Sequence, residues 1–263
     1  MAARDFFLRL GVEGWVDLRP DHIFRFQSSL GAPMAQATQL RKLSSLRSLL
    51  KFLKRSGAGP AVDLPSTANS RPPKRLPKAL DLETLTSLLR SPDLSKPAGL
   101  RDRALMELIY GAGLRVSEAV ELRVEELDLD QAAFRVTGKR GKTRWLPIPR
   151  MTTPWIERYL QESRPNLVKT PIATLFVGDR GGPLSRQSAF HILRKHARNA
   201  GIPTDVSPHT LRHTYAVHLL KGGADLRAVQ ELLGHASINT TQVYTQLDMD
   251  QVAKTYHRAH PRR

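Results

Sequence analysis

Leu40, Leu43, Leu46, Leu50 and Leu53 recur at helical spacing, and Arg41, Lys42, Arg47, Lys51, Lys54 and Arg55 surround the stripe. That pattern predicts an amphipathic helix with one apolar and one basic face. Beyond it, Gly57, Gly59, Pro60, Pro65, Pro72, Pro73 and Pro77 break any regular element. This punctuation predicts three parts: a helical domain over 1–60, a linker over 61–80 and a larger domain over 81–263. The larger domain opens with Asp81 as N-cap to a helix carrying Leu82, Leu85, Leu88 and Leu89. A second helix is expected over Leu100–Tyr110, stopped by Gly111 and Gly113, and Ser117 is expected to cap a short helix through Leu122.

Alternation then replaces the helical period. Ala133–Thr137 and Thr143–Ile148, around a turn at Gly138–Gly141, predict a β-hairpin. Helices are expected again at Pro154–Ser163, Ser185–Ala200, Pro208–Lys221, Leu226–Leu233 and Thr240–Leu247. The predicted fold class is mainly α, with a small α-helical N-terminal domain and a larger, mostly helical domain holding one small antiparallel β-sheet.

Charge gives this scaffold a partner. The net charge is +17 and the pI about 10.8, far beyond what solubility needs, so a polyanion, above all nucleic acid, is the expected partner. His22–Val62 holds seven Lys or Arg and no acid. The basic face bearing Arg41, Lys42, Arg47, Lys51 and Lys54 is therefore expected to contact DNA. Arg71, Lys74, Arg75 and Lys78 make the linker basic too, suited to lying along a phosphate backbone. The absence of cysteine excludes disulfides and thiolate metal sites. No apolar run is long enough to span a bilayer, and Met1–Phe7 lacks the apolar core of a signal peptide, so a cytoplasmic, nucleoid-associated location is expected and a membrane partner is not.

Candidate chemistry gathers at a few positions. Ser207-Pro208 starts a helix, which puts His209 in its first turn and Arg212 on the same face. A helix start favours phosphate there. His209 and His213 are four apart, yet Arg212 lies between them and no third ligand is evident, so no metal site is expected. His235 follows the helix end at Gly234, and a short helix after it brings Tyr244 back within a turn or two. Arg115 sits in the run Gly113–Glu118, and Lys139 occupies the hairpin tip, with Arg140 and Lys142 as competitors. A tip lysine can protonate a leaving oxygen. One tyrosine nucleophile with arginine forks suits attack on a phosphodiester, whose reaction concentrates charge on non-bridging oxygens. Tyr110, Tyr159, Tyr215 and Tyr256 read instead as packing residues.

Gly113–Glu118, Gly138-Lys139, His209–Thr214, Leu232–His235, Tyr244 and the ending His260-Pro261-Arg262-Arg263 together resemble the tyrosine recombinases, most of all their Xer branch. The resemblance runs from about Leu76 to the end. It implies an N-terminal core-binding domain and a catalytic domain. It further implies a site-specific recombinase that works through a 3′-phosphotyrosyl intermediate in resolving chromosome or plasmid dimers, linked to chromosome partition and cell division. Carried over by position, Tyr244 is the nucleophile, Arg115 and Arg212 hold the non-bridging oxygens, His209 assists proton transfer, His235 hydrogen-bonds the phosphate and Lys139 is the general acid. Arg140 and Lys142 join the DNA-contacting set. No metal or nucleotide cofactor is implied. The implied partners are a double-stranded DNA recombination site, further recombinase subunits in a homo- or hetero-tetramer, and a septum-associated DNA translocase. A mobile-element integrase of the same family, a type IB topoisomerase-like enzyme and an inactive DNA-binding relative are the alternatives. The resemblance departs at the start: little precedes Asp5–Leu10, so the N-terminal domain is expected to be shortened by most of one helix, exposing some of Phe6, Phe7, Leu8 and Leu10.

Overall fold

A computed structural model describes residues 3–31, 34–60, 79–137, 143–202, 206–234 and 259–261. The chain divides into two compact units, residues 1–75 and 76–263.

Among the described residues, three α-helices build the first unit: α1 (Ala3–Arg9), α2 (Pro20–Ser29) and α3 (Gln36–Arg55). The leucine stripe of α3 turns inward. Leu46 and Leu50 are buried with Phe7, Val12, Leu18, Ile23, Phe26 and Leu30, and Leu43 packs against them. Pro20 at the first position of α2 supplies a pre-set φ, an element the periodicity above does not predict. The Phe7 ring lies 5.3 Å from Phe26 and 6.1 Å from Trp15. Of the apolar residues expected to be uncovered at the start, Phe7 is therefore core, Phe6 and Leu10 pack against it, and Leu8 is exposed.

The second unit is built around α5 (Pro97–Gly111). It begins earlier than the apolar pattern suggests because Pro97 at the first helical position starts it. The helix is buried almost throughout, so its charges must be paired inside. Arg101 donates to Asp102 at 2.7 and 2.9 Å and to Asp179 at 2.6 Å, and His196 lies 3.0 Å from Asp102. Arg103 pairs with Glu107 at 2.6 Å, donates to the Leu89 carbonyl, and lies over the Trp155 ring. Around α5 run α4 (Leu82–Arg90), α6 (Val116–Glu121), α7 (Thr153–Arg158), a π turn over Tyr159–Ser163, α8 (Arg164–Leu167), α9 (Arg186–Asn199), α10 (Pro208–Lys221) and α11 (Leu226–Leu232).

The predicted hairpin is present as β2 (Ala133–Thr137) and β3 (Thr143–Pro147), paired antiparallel from Ala133↔Pro147 to Thr137↔Thr143. A third strand, β1 (Leu127–Asp128), adds to the β2 edge; at two residues it is too short to show a period. The expected helix over Thr240–Leu247, the hairpin turn and the 61–78 part of the linker lie outside the described residues.

Candidate active site

Local sequence sets the site. At α6 the cap is Arg115, not Ser117. Arg115 takes an extended backbone (φ −69°, ψ 147°), and its amide donates to the Glu118 carboxylate three residues on, at 2.9 Å. A carboxylate at that place satisfies an otherwise orphan N–H and also favours the helix N-terminus. Ser117 lies inside the helix, one residue past its start. At α10 the expected cap holds: the Ser207 hydroxyl accepts from the Thr210 amide at 3.2 Å, with Pro208 at the first position.

These two helix starts bring arginines together. Arg115 Nη1 donates to Glu118 Oε1 at 2.9 Å and its Nη2 to the Gly234 carbonyl at 3.1 Å. Arg212 donates to the carbonyls of Gly113 at 2.6 Å and Leu233 at 2.5 Å, with Nη1 3.9 Å from Glu118. Each guanidinium is thus oriented by main-chain oxygens. Gly113 takes φ +62°, and a Cβ there would come within 2.4 Å of the Tyr215 ring. Only glycine lets the chain turn here and present its carbonyl to Arg212.

A third arginine, Arg144, enters from β3. Its Nη2 lies 3.1 Å from both Glu118 oxygens. The side chains of Arg115, Arg144 and Arg212 are 35 %, 12 % and 10 % exposed, and that of Glu118 is 4 % exposed. Glu118 and Arg144 were not singled out as site residues from the sequence. The signal for Arg144 was present: in β3 it shares the inward face with Leu146, while Trp145 between them faces out.

Three guanidiniums around one carboxylate leave two positive charges uncompensated among the described residues. Burial pulls the Arg212 pKa down to about 10, the like charge of Arg115 adds to this, and Glu118 offsets part of it. Burial alone would push the Glu118 carboxyl up; the field of Arg144 and hydrogen bonds from Arg115 outweigh it and hold the group below its ordinary range. A half-open cluster of this kind binds an oxyanion with several planar donors.

Of the other sequence-derived site residues, His209 lies in the first turn of α10 with its side chain exposed. Lys139, His235 and Tyr244 lie outside the described residues, as do Arg71, Lys74, Arg75, Arg140 and Lys142. Arg41, Lys42, Arg47, Lys51 and Lys54 all lie on α3, and Arg41, Lys51 and Lys54 are exposed. Tyr110, Tyr159 and Tyr215 are buried, as their packing role requires. Burial pushes the Tyr215 phenol well above its ordinary value and that of Tyr159 up to about 12.

Comparison with known proteins gives this geometry a lineage. Residues 78–251 match the phage integrase family. The tyrosine recombinase XerD of Lacticaseibacillus casei is 45% identical over 230 residues, covering 87% of this chain and 78% of the relative. The tyrosine recombinase XerC of Pelobacter propionicus is 40% identical over 244 residues, covering 92% and 80%. Among solved structures, the XerA recombinase aligns with a TM-score of 0.56 at 27% identity, over 99% of this chain and 90% of that one. The XerH recombinase bound to palindromic difH substrate shares the fold, with a TM-score of 0.68 at 22% identity over 97% and 76%. The chain belongs to the phage integrase family, as a tyrosine recombinase of the Xer type.

Proposed function

We propose that the chain cleaves and rejoins DNA strands at a specific double-stranded site through a 3′-phosphotyrosyl intermediate. The observation that carries this is the surplus of two positive charges at the Arg115–Glu118–Arg144–Arg212 cluster. Arg115 and Arg212 offer their donors to the non-bridging oxygens of the scissile phosphate. The phenolic oxygen of Tyr244 attacks the phosphorus, and its proton passes to His209. The bond from phosphorus to the 5′ oxygen breaks as the bond to tyrosine forms, and Lys139 gives that oxygen a proton. His235 hydrogen-bonds the phosphate. Ligation by a partner strand's 5′-hydroxyl runs the same steps backwards, so the number of phosphoester bonds is conserved and no outside energy source is required. The buried surroundings of Tyr110, Tyr159 and Tyr215 support a nucleophile other than these three.

In the same proposal, residues 1–60 form the core-binding domain, 61–80 a basic linker and 81–263 the catalytic domain. Arg41, Lys42, Arg47, Lys51 and Lys54, with the linker cations and Arg140 and Lys142, meet phosphates. The protein works as a homo- or hetero-tetramer on DNA, in the nucleoid, on chromosome or plasmid dimers, with a septum-associated translocase as partner. The Xer-type relatives support this role.

The test uses nicked duplexes of randomised sequence. Covalently captured DNA is recovered under denaturing conditions and sequenced, which also yields the preferred site. The unaltered chain is expected to form adducts and Tyr244→Phe none, while the variant still binds the selected duplex. An adduct that survives in Tyr244→Phe would show that the nucleophile is a different residue.

A further inference from the structure

We infer that Arg144 is a positioning residue of the phosphate site: it carries the charge of Glu118 so that Arg115 keeps its donors for the substrate. The inference rests on the recombinase reading above and adds a residue to it.

Register brings Arg144 to the cluster. It pairs with Val136 across the hairpin, on the face where Val136 and Leu146 are buried. An arginine is a costly choice for an inward strand position, because burying a guanidinium sacrifices hydration. An apolar residue would complete that face at lower cost. Nor does Glu118 need a further donor for its own sake, since Arg115 already supplies an amide and a guanidinium hydrogen bond. What Arg144 adds is charge and geometry. Its Nη2 is equidistant from both Glu118 oxygens, at 3.1 Å. That bidentate acceptance draws the carboxylate's negative potential toward β3 and away from Arg115.

The fit continues at Gly234. A Cβ there would stand 2.9 Å from Arg144 Cζ, 3.0 Å from Nη1 and 3.1 Å from Nε, so the guanidinium lies against bare main chain. The carbonyl of the same glycine accepts from Arg115. Arg144 therefore braces both groups that orient Arg115: the Glu118 carboxylate directly, and the Gly234 turn by contact. Its buried Nε has no hydrogen-bond partner among the described residues. Such an arrangement gives up stability at a place where charge is wanted.

Charge decides the magnitude. Without Arg144 the cluster would hold one surplus positive charge instead of two. A phosphodiester carries one negative charge, and attack by a phenolate oxygen adds another. The second surplus charge is therefore felt mainly as the reaction proceeds.

The experiment measures single-turnover cleavage of the selected duplex by the full chain, as Arg144→Met and Arg144→Lys, with melting followed in parallel. Two substrates are used: the normal phosphodiester, and a scissile methylphosphonate, in which a methyl group removes one negative charge. Arg144→Met is expected to cleave the phosphodiester about 100-fold more slowly than the unaltered chain, and to fall short by only about 3-fold on the methylphosphonate. Arg144→Lys keeps the charge but lacks the planar guanidinium that lies against Gly234, so it is expected to lose roughly 10-fold on the phosphodiester. Equal losses on both substrates, for either variant, would mean that Arg144 only holds the fold together and would overturn the inference. So would full activity in Arg144→Met. If the Met variant does not fold, the Lys variant decides by the same ratio. If the unaltered chain forms no adduct at all, the recombinase reading fails and the inference falls with it. Adducts from the unaltered chain with an unchanged substrate ratio in the variants would overturn the inference alone.

Discussion

Two of the buried arginine networks among the described residues of the second unit differ in their charge balance. On α5, Arg101 has two carboxylate partners, Asp102 and Asp179, and His196 sits on the far side of Asp102. Burial alone would lower the Arg101 pKa, but the charge of Asp102 and the hydrogen bonds to both acids hold it above the usual arginine value. At the α6 and α10 starts the ratio is inverted. Three arginines share Glu118, and Arg212 is pulled down to about 10 by burial and by Arg115. Opposite shifts in two buried guanidiniums of one unit separate a network closed on itself from one completed by an anion. A buried charge that only builds the fold is neutralised in place; one that serves a reaction is left in excess.

The strongest way to break this contrast is at the closed network. Arg101→Met leaves Asp102 buried without its guanidinium, and is expected to cost about 3–5 kcal/mol of unfolding free energy in urea. A loss under about 1 kcal/mol would mean that the α5 network is not a structural lock.

Glu118→Gln probes the open network. Removing the one acid it has among the described residues leaves three guanidiniums facing one another, and a loss of about 2–3 kcal/mol is expected at neutral pH. The pH dependence sharpens it. The folded-state pKa of Glu118 lies below the ordinary 4.5, so the stability it contributes is present above that value and is lost as pH falls through the lower folded value. The gap between the unaltered chain and Glu118→Gln should therefore close in acid. A gap that stays constant below pH 4.5 would remove the charge of Glu118 from the account.

A smaller effect should appear with inorganic phosphate. An anion that binds the open cluster stabilises the folded chain by about 1.4 kcal/mol at ten times its Kd. The melting shift should be reduced in Arg115→Met and kept in Arg101→Met after allowance for its lower starting point. Equal shifts in all three would place the anion elsewhere.

The sequence made some of this legible and hid the rest for physical reasons. Local signals carried well. Ser207-Pro208 fixed the start of α10, and alternation at Ala133–Thr137 and Thr143–Pro147 located the hairpin. Arg115 and Arg212 were found through their motif runs, and both reach the cluster. Ser117 was the more ordinary cap residue by type, yet Glu118 reaching back to the Arg115 amide set the helix start. The inward place of Arg144 on β3 was legible in the strand alternation, but its partner Glu118 was hidden, because it lies 26 residues away on another element. The pairing of the α5 charges was hidden for the same reason, since Asp102 meets His196 from α9, 94 positions on. Long-range pairing of this kind leaves no local period to detect.

The most direct test sets one arginine from each network side by side, as Arg115→Met and Arg101→Met, each followed by melting and by covalent cleavage of the selected nicked duplex. Arg115 is partly exposed, and Glu118 keeps Arg144 beside it, so the fold should barely register the change. The account predicts that Arg115→Met melts within about 2–4 °C of the unaltered chain while its cleavage falls by about 1,000-fold. Arg101→Met should do the reverse, melting far lower while its folded molecules cleave at close to the full rate. Arg115→Met cleaving at the unaltered rate, or losing as much stability as Arg101→Met, would contradict the claim that the charge left in excess exists for the phosphate.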